Sequence, residues 1–141
     1  MTTPSQTVGP FLSIGLRDAP EAVPAGTPGR IRLHGLVLDG AGAPVPDALV
    51  ETWQEAGFAR CGTDDDGRWA IFTVRAPYID VSVFARGLLN RVITRVHFAE
   101  EDVDAAVPAA RRHTLVATPD GDGRRFDIRL QGEDETVFFE L

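Results

Sequence analysis

Histidine, cysteine and tyrosine, whose side chains bind transition metals in proteins, are few in this chain. The sequence has three histidines (His34, His97 and His113), one cysteine (Cys61) and one tyrosine (Tyr78). No two histidines follow the HxH or HxxxH spacing that places two imidazoles on one face of a strand or a helix. We therefore interpret the histidines as structural residues and predict neither a metal site nor a catalytic residue within this chain.

Two weaker patterns leave alternatives open. The run Asp64-Asp65-Asp66 could bind calcium, but Gly67 follows it directly, which favours a solvated turn. Cys61 could form a nucleophilic pair with a histidine, although no local motif supports this, and burial as a small apolar residue is the simpler interpretation. The sequence contains no GxSxG, Walker A or dinucleotide-binding motif.

The composition sets the class of protein. With 141 residues and 43% hydrophobic residues, the chain is expected to form one domain with one core. Its net charge of -7 disfavours nucleic acid as a partner, since nucleic-acid binding needs a basic face. No apolar stretch approaches the roughly 20 residues of a membrane-spanning helix. A single cysteine suits a reducing compartment, so we predict a cytoplasmic protein.

Alternation of apolar and polar residues predicts the elements that must position these side chains. In residues 30–37, Ile31, Leu33, Gly35 and Val37 alternate with mostly polar neighbours, as in a half-buried strand. Similar patterns occur in residues 48–54, 58–62, 68–74, 78–85, 92–98, 114–117, 124–130 and 136–139. Together they predict an all-β domain, an antiparallel β-sandwich of about eight short strands.

Turn and helix signals complete the predicted organisation. Asp66-Gly67 predicts a β-hairpin between the strand-like runs on either side of it. Residues 99–113 begin with acidic and end with basic side chains, an order that suits the helix dipole and predicts one or two short helical turns. Residues 1–29 are rich in Pro, Gly, Ser and Thr, so we divide the chain into an extended N-terminal arm at 1–29 and a sandwich at 30–141.

Four segments together resemble one known family. They are the arm from Thr3 to Phe11 (TPSQTVGPF), the block from Arg30 to Gln54 followed by TDDDGRW, the stretch from Val81 to Phe98 that contains FARGLL, and the carboxyl end FDIRLQGEDETVFFEL. In the same order, these segments resemble the intradiol ring-cleavage dioxygenase family, and within it the alpha subunits of protocatechuate 3,4-dioxygenases. The second block is weak alone, because transthyretin-like and carboxypeptidase-regulatory-like sandwiches share it. The other three are more selective.

The resemblance implies a β-sandwich that works within a larger enzyme. Members of this family cleave the ring of 3,4-dihydroxybenzoate with O2, which gives 3-carboxy-cis,cis-muconate. Their Fe(3+) is held by two tyrosines and two histidines on a beta chain, while the alpha chain lines the mouth of that site. The resemblance therefore implies a beta-chain partner, no iron held by this chain, and no activity of the chain alone.

Residue by residue, the resemblance implies that the iron ligands are missing here. The family's histidine pair falls on Tyr78 and Asp80, neither of which is a histidine. The two ligand tyrosines would lie after TWQEAG and before Ala76, in segments that this chain lacks. Its internal loops are therefore shortened.

The resemblance also implies a substrate-binding role for four residues. Thr7, Gly9 and Pro10 match residues of the family's arm that reach over the substrate pocket. Arg86, within FARGLL, matches an arginine that faces the cleft. An arginine near an anionic aromatic acid would offset the repulsion expected from the protein's negative charge.

Two other functions remain open at this stage. A transthyretin-like or carboxypeptidase-regulatory-like β-sandwich would act as a binding or structural module and would be indifferent to any beta chain. An independent catechol dioxygenase with a non-standard site would hold its own iron.

Overall fold

Nine short strands form most of the fold. The computed structural model describes residues 1–9 and 11–140. The strands are β1 (Arg30–Leu38), β2 (Leu49–Gln54), β3 (Gly57–Gly62), β4 (Arg68–Val74), β5 (Ile79–Phe84), β6 (Val92–Val96), β7 (Thr118–Asp120), β8 (Gly123–Arg125) and β9 (Ile128–Arg129). A short helix, α1, spans Leu12–Gly15, and 3₁₀ turns span Glu100–Asp102 and Ala109–Leu115. The predicted helical turns after β6 are therefore confirmed.

The strands form two sheets, as predicted for a sandwich. One sheet has the order β4-β1-β8-β7, with β9 also along β1, and the other has the order β3-β2-β5-β6. The second sheet is antiparallel throughout, whereas β1 pairs in parallel with β8 and β9. Between β8 and β9, the Leu36 N–H donates to Asp127 Oδ1 at 2.9 Å, so a side chain replaces a ladder bond. Alternation marks strands but carries no information on their direction, which is why the parallel pairings were not predicted.

The core lies between the two sheets. From β1, Leu33 and Val37 are fully buried, and Ile71 of β4 and Val83 of β5 are buried with them. The alternation predicted for β1 is thus confirmed. A Cβ on Gly35 would overlap the carbonyl oxygen of Phe126, so glycine is needed where β1 meets the segment between β8 and β9.

The predicted hairpin at Asp66-Gly67 is wrong. β3 pairs with β2 and β4 pairs with β1, so the turn carries the chain from one sheet to the other. The turn chemistry itself is as expected, since Asp64 Oδ1 accepts hydrogen bonds from the N–H groups of Asp66 and Arg68 at 3.0 and 2.8 Å. The Val37 N–H donates to the Gly67 carbonyl at 2.8 Å, which ties the turn to β1 rather than to a hairpin partner.

The segment before β1 is attached to both sheets. Ala19 bridges Arg60 of β3, and Glu21 bridges Phe72 of β4. The division into an arm at 1–29 and a sandwich at 30–141 stays a prediction. Among the helices of the described residues, none is long and apolar enough to cross a membrane.

Candidate functional site at the N-terminal arm

The arm lies along the loop between β5 and β6. The Gly87 N–H donates to Thr7 Oγ1 at 2.9 Å, and Ser5 Oγ donates to Asn90 Oδ1 at 2.9 Å. Gly87 has a φ of 92°, a backbone conformation that favours glycine and ends the β5 run. The structure therefore brings two of the predicted residues, Thr7 and Arg86, into neighbouring positions although they are far apart in sequence.

Arg86 is held at its base and exposed at its tip. Its Nε lies 3.0 Å from Asp47 Oδ2, and Asp47 belongs to the loop that leads into β2. The Arg86 side chain is 61% exposed, whereas that of Asp47 is 18% exposed. Among residues 1–9 and 11–140, Arg86 has no other ion pair. Its cation is thus oriented by one carboxylate while it remains open to a second.

Gly9, a third predicted residue, lies at a bend of the arm. Gly9 has a φ of 71°, so the chain turns there in a conformation that a larger side chain rarely adopts. Pro10, the fourth predicted residue, lies outside the described residues. The arm then continues into α1, and Leu12 of α1 and Leu16 directly after it line a small cleft of about 130 Å³ together with Asp47.

Large apolar side chains are exposed on the arm and on the loop beside it. We name Val8, Phe11, Ile14, Leu16 and Leu89 the arm patch. Phe11 is 70% exposed, Ile14 79% and Leu89 61%. Exposed apolar side chains concentrated in one region are typical of surfaces that another protein covers.

A second cluster contains Tyr78 and Asp80, the positions on which the resemblance predicts the family's histidine pair to fall. Asp80 in β5 faces Arg95 in β6, and Arg95 Nε donates to Asp80 Oδ1 at 2.8 Å. The Arg95 guanidinium also lies 4.4 Å from the centre of the Tyr78 ring and 5.5 Å from that of Phe139. We name Tyr78, Asp80, Arg95 and Phe139 the arginine cluster.

The arginine cluster does not fit a ferric ion. A metal between Tyr78 and Asp80 would meet the fixed positive charge of Arg95, which the carboxylate and the aromatic rings already stabilise. No group of three or more His, Cys, Asp or Glu side chains able to hold a metal occurs in the part of the chain that the structure describes.

The arginine cluster borders a cleft of about 630 Å³. Val103, Val107 and Leu115 form its apolar wall, and His97 lies beside Arg95 on its floor. Burial lowers the pKa of His97 and the charge of Arg95 lowers it further, so the imidazole is neutral at pH 7. Sequence reasoning missed this cleft, although the spacing of Arg95 and His97 on one face of β6 was a usable signal.

The two weaker sequence patterns gain no support from the structure. Burial raises the pKa of Cys61, whose thiol donates to the Gly62 carbonyl at 3.1 Å, so the sulfur is a poor nucleophile. Asp66 pairs with Arg68 at 2.6 Å within the turn, as expected for a solvated loop.

Comparisons with known proteins identify the family. The chain is 37% identical to the protocatechuate 3,4-dioxygenase alpha chain of Burkholderia cepacia, over 99% of this chain and 97% of that protein. It is 29% identical to the beta chain from the same organism, over 76% of this chain and 66% of that protein. The fold matches the dioxygenase domain of a carbohydrate-binding fusion protein from Streptomyces sp. SirexAA-E, with a TM-score of 0.64 and 24% identity, over 93% of this chain and 99% of that one. No protein-family model matches the chain.

The alignment also shows that this chain lacks internal segments of the relative; that these are the loops after TWQEAG and before Ala76 stays a prediction. It has 193 positions with the Burkholderia alpha chain, whereas this chain has 141 residues, so the relative carries segments that are missing here. The similarity over nearly the full length of both proteins favours the resemblance over a transthyretin-like or carboxypeptidase-regulatory-like module. The chain belongs to the family of protocatechuate 3,4-dioxygenase alpha chains.

Proposed function

We propose that this alpha subunit contributes binding surface, and no iron ligand, to an enzyme that cleaves 3,4-dihydroxybenzoate with O2 to 3-carboxy-cis,cis-muconate. In this proposal a beta chain holds the Fe(3+) and the chemistry takes place there. The arginine cluster is the observation that carries the proposal, since the Arg95 cation contacts both Tyr78 and Asp80, the two positions that the resemblance aligns with the histidine ligands. When bound by the beta chain, the iron supplies a Lewis acid that activates a catecholate.

The contribution to substrate binding is proposed for Thr7, Gly9, Pro10 and Arg86. Support comes from the hydrogen bond between the arm and the Gly87 N–H, and from the exposed guanidinium next to it. Arginine binds a carboxylate through two parallel N–H groups, which suits the acid group of 3,4-dihydroxybenzoate. The protein carries a net charge of -7, so a local cation would also raise the concentration of an anionic substrate near the site.

We propose that the arm patch docks on the beta chain. Phe11 and Ile14 are exposed on α1 and the residue before it, and Leu89 is exposed on the loop that the arm follows. Burying such side chains stabilises a complex by roughly 1.5–3 kcal/mol for each fully covered side chain. The similarity to both chains of one relative supports a partner of the same fold. A cytoplasmic location is proposed on the cysteine count alone.

Iron analysis with and without a beta chain tests the proposed function. The chain purified alone should contain no iron and consume no oxygen with 3,4-dihydroxybenzoate. Co-expression with the beta chain from the same genome should yield a complex that contains iron and consumes oxygen. Stoichiometric iron in the isolated chain would instead support an independent catechol dioxygenase. A chain that fails to co-purify with the beta chain would support a free-standing binding module.

A further inference from the structure

We propose that Asp47 is a positioning residue for Arg86. In this inference, which rests on the proposed role of Arg86 in substrate binding, Asp47 fixes the inner nitrogen of the guanidinium and so aims its outer edge at the carboxylate of the ligand. Three features support this role: the hydrogen bonds that hold the backbone around Asp47, the side of Arg86 that Asp47 contacts, and the sign of the Asp47 charge.

Asp47 stands on a fixed piece of backbone. Thr63 Oγ1 donates to the Val45 carbonyl at 2.7 Å and accepts the Ala48 N–H at 3.0 Å, so one hydroxyl binds the chain on both sides of Asp47. The Thr63 N–H also donates to the Ala48 carbonyl at 2.9 Å. The Asp47 side chain is mostly shielded from solvent. A carboxylate fixed in this way holds the Arg86 guanidinium in one place and does not move with it.

The contact leaves the functional edge of Arg86 free. The ion pair is formed through Nε, 3.0 Å from Asp47 Oδ2, while the side chain is 61% exposed. A ligand carboxylate is best bound end-on by the two terminal nitrogens, which lie beyond Nε. An exposed arginine without an anchor must lose much of its rotamer freedom when it binds a ligand. With Asp47 in place, part of that freedom is already lost in the free protein.

The charge of Asp47 acts in the opposite direction. A carboxylate this close to Arg86 weakens the attraction of the site for an anion. If charge alone mattered, removal of Asp47 would tighten the binding of a carboxylate ligand. If positioning dominates, as we infer, its removal weakens that binding. The two effects therefore predict results of opposite sign.

Two non-reacting ligands, one with and one without a carboxylate, show whether removal of Asp47 raises or lowers the Kd. The assembled complex with its beta chain is titrated by calorimetry with 4-hydroxybenzoate and with phenol, which lacks the carboxylate. In Asp47→Ala we expect the Kd of 4-hydroxybenzoate to rise about fivefold, within the range expected for one immobilised side chain. The Kd of phenol should stay within about twofold. Asp47→Asn keeps an oxygen that can face Nε, and it should recover most of the loss. Glu101→Ala, which removes an exposed carboxylate beyond the end of β6 opposite to the Arg86 loop, serves as the control for net charge.

The outcomes distinguish a failure of the positioning role of Asp47 from a failure of the proposed substrate-binding role of Arg86. An unchanged or lower Kd of 4-hydroxybenzoate in Asp47→Ala, while Arg86→Ala raises it, would overturn the positioning role and leave the proposed function intact. An Arg86→Ala complex that binds 4-hydroxybenzoate as tightly as the wild type would remove Arg86 from the substrate site. If Asp47→Ala lowers the yield of complex, Asp47→Glu replaces it. Glutamate keeps the charge but displaces the carboxylate by one methylene, so the Kd of 4-hydroxybenzoate should still rise. An unchanged Kd would refute the positioning role.

Discussion

Arg86 and Arg95 each pair with an aspartate through Nε, yet the two pairs leave their cations in different surroundings. Arg86 projects from a loop beside the arm and has one partner. Arg95 extends from β6 and lies over the ring of Tyr78, with Phe139 also close. The same two residue types form both pairs. The Arg86 cation is available to a ligand, whereas contacts within the fold satisfy the Arg95 cation.

The two pairs differ in how many groups surround each cation. At the arginine cluster, the hydrogen bond to Asp80 and the aromatic contacts stabilise a partly exposed cation. At the arm, a single shielded carboxylate is the ion-pair partner of Arg86 among the described residues. We therefore expect Arg95 to act in stability and Arg86 in recognition.

Arg86→Ala should have the largest effect. In the complex with the beta chain, we expect KM for 3,4-dihydroxybenzoate to rise about 30-fold, because a charge-assisted hydrogen bond contributes about 2 kcal/mol. Steady-state oxygen consumption measures it. Arg91→Ala in the same loop is the matched control and should leave KM nearly unchanged. Equal values for the two variants would show that Arg86 is no more specific than any loop arginine.

Arg95→Met should lower stability, whereas Arg86→Met should not. Methionine keeps the apolar bulk but removes the ion pair to Asp80 and the attraction to the Tyr78 and Phe139 rings, a loss of about 1 kcal/mol. Urea unfolding of the chain, followed by tryptophan fluorescence, measures the free energy of unfolding of both variants. If Arg86→Met were as destabilising as Arg95→Met, the distinction between the two regions would fail.

Thr7→Val should loosen the arm with a smaller effect on activity. The substitution preserves shape but removes the acceptor for the Gly87 N–H, so we expect KM to rise about threefold from the loss of one exposed hydrogen bond. Kinetics of the complex measure the change. Thr7→Ser keeps the hydroxyl and should behave like the wild type. A Thr7→Ser variant as impaired as Thr7→Val would instead implicate the methyl group.

The smallest expected effect is on the pH dependence of the unfolding free energy, and it arises at His97, beside Arg95. Burial lowers the pKa of His97 below 6.5, its value when unfolded. The unfolded chain then binds the proton more readily, so the contribution of His97 to stability is present above pH 6.5 and is lost as the pH falls below it. His97→Gln should flatten the decline in unfolding free energy between pH 7 and pH 5, and the exposed His113→Gln should not. Equal slopes for the wild type and His97→Gln would exclude the effect.

The sequence was sufficient for most of the strands, although residues 114–117 and 136–139, which it predicted as strands, form none in the structure. Burial alternates along β1 as its residues predict, because one face of that strand must enter the core. The proximity of Thr7 to Arg86 followed from family resemblance, since no periodicity relates an arm to a loop far along the chain. Asp47 was missed because its importance lies in a contact between two loops, which local patterns do not encode.

The hairpin and the arginine cluster show where the sequence was insufficient. Asp66-Gly67 has hairpin chemistry, but the chemistry of a turn does not decide whether the strands it joins pair with each other or with different sheets. Pairing of Asp80 with Arg95 depends on the register of β5 against β6, which a shift of one residue would abolish. Register is decided by the whole set of buried side chains, and no single motif contains it.

The bridges of the arm have a consequence for solubility. β3 and β4 are outer strands of their sheets, and outer strands offer unpaired backbone groups to neighbouring molecules. Ala19 exchanges backbone hydrogen bonds with Arg60 at 2.9 and 2.8 Å, and the N–H groups of Ala22 and Phe72 donate to the carbonyls of Phe72 and Pro20 at 2.9 and 2.7 Å. One short segment therefore covers parts of two edges at once. Removing it would leave both edges free to pair with other copies of the chain, so the arm also protects the protein from self-association.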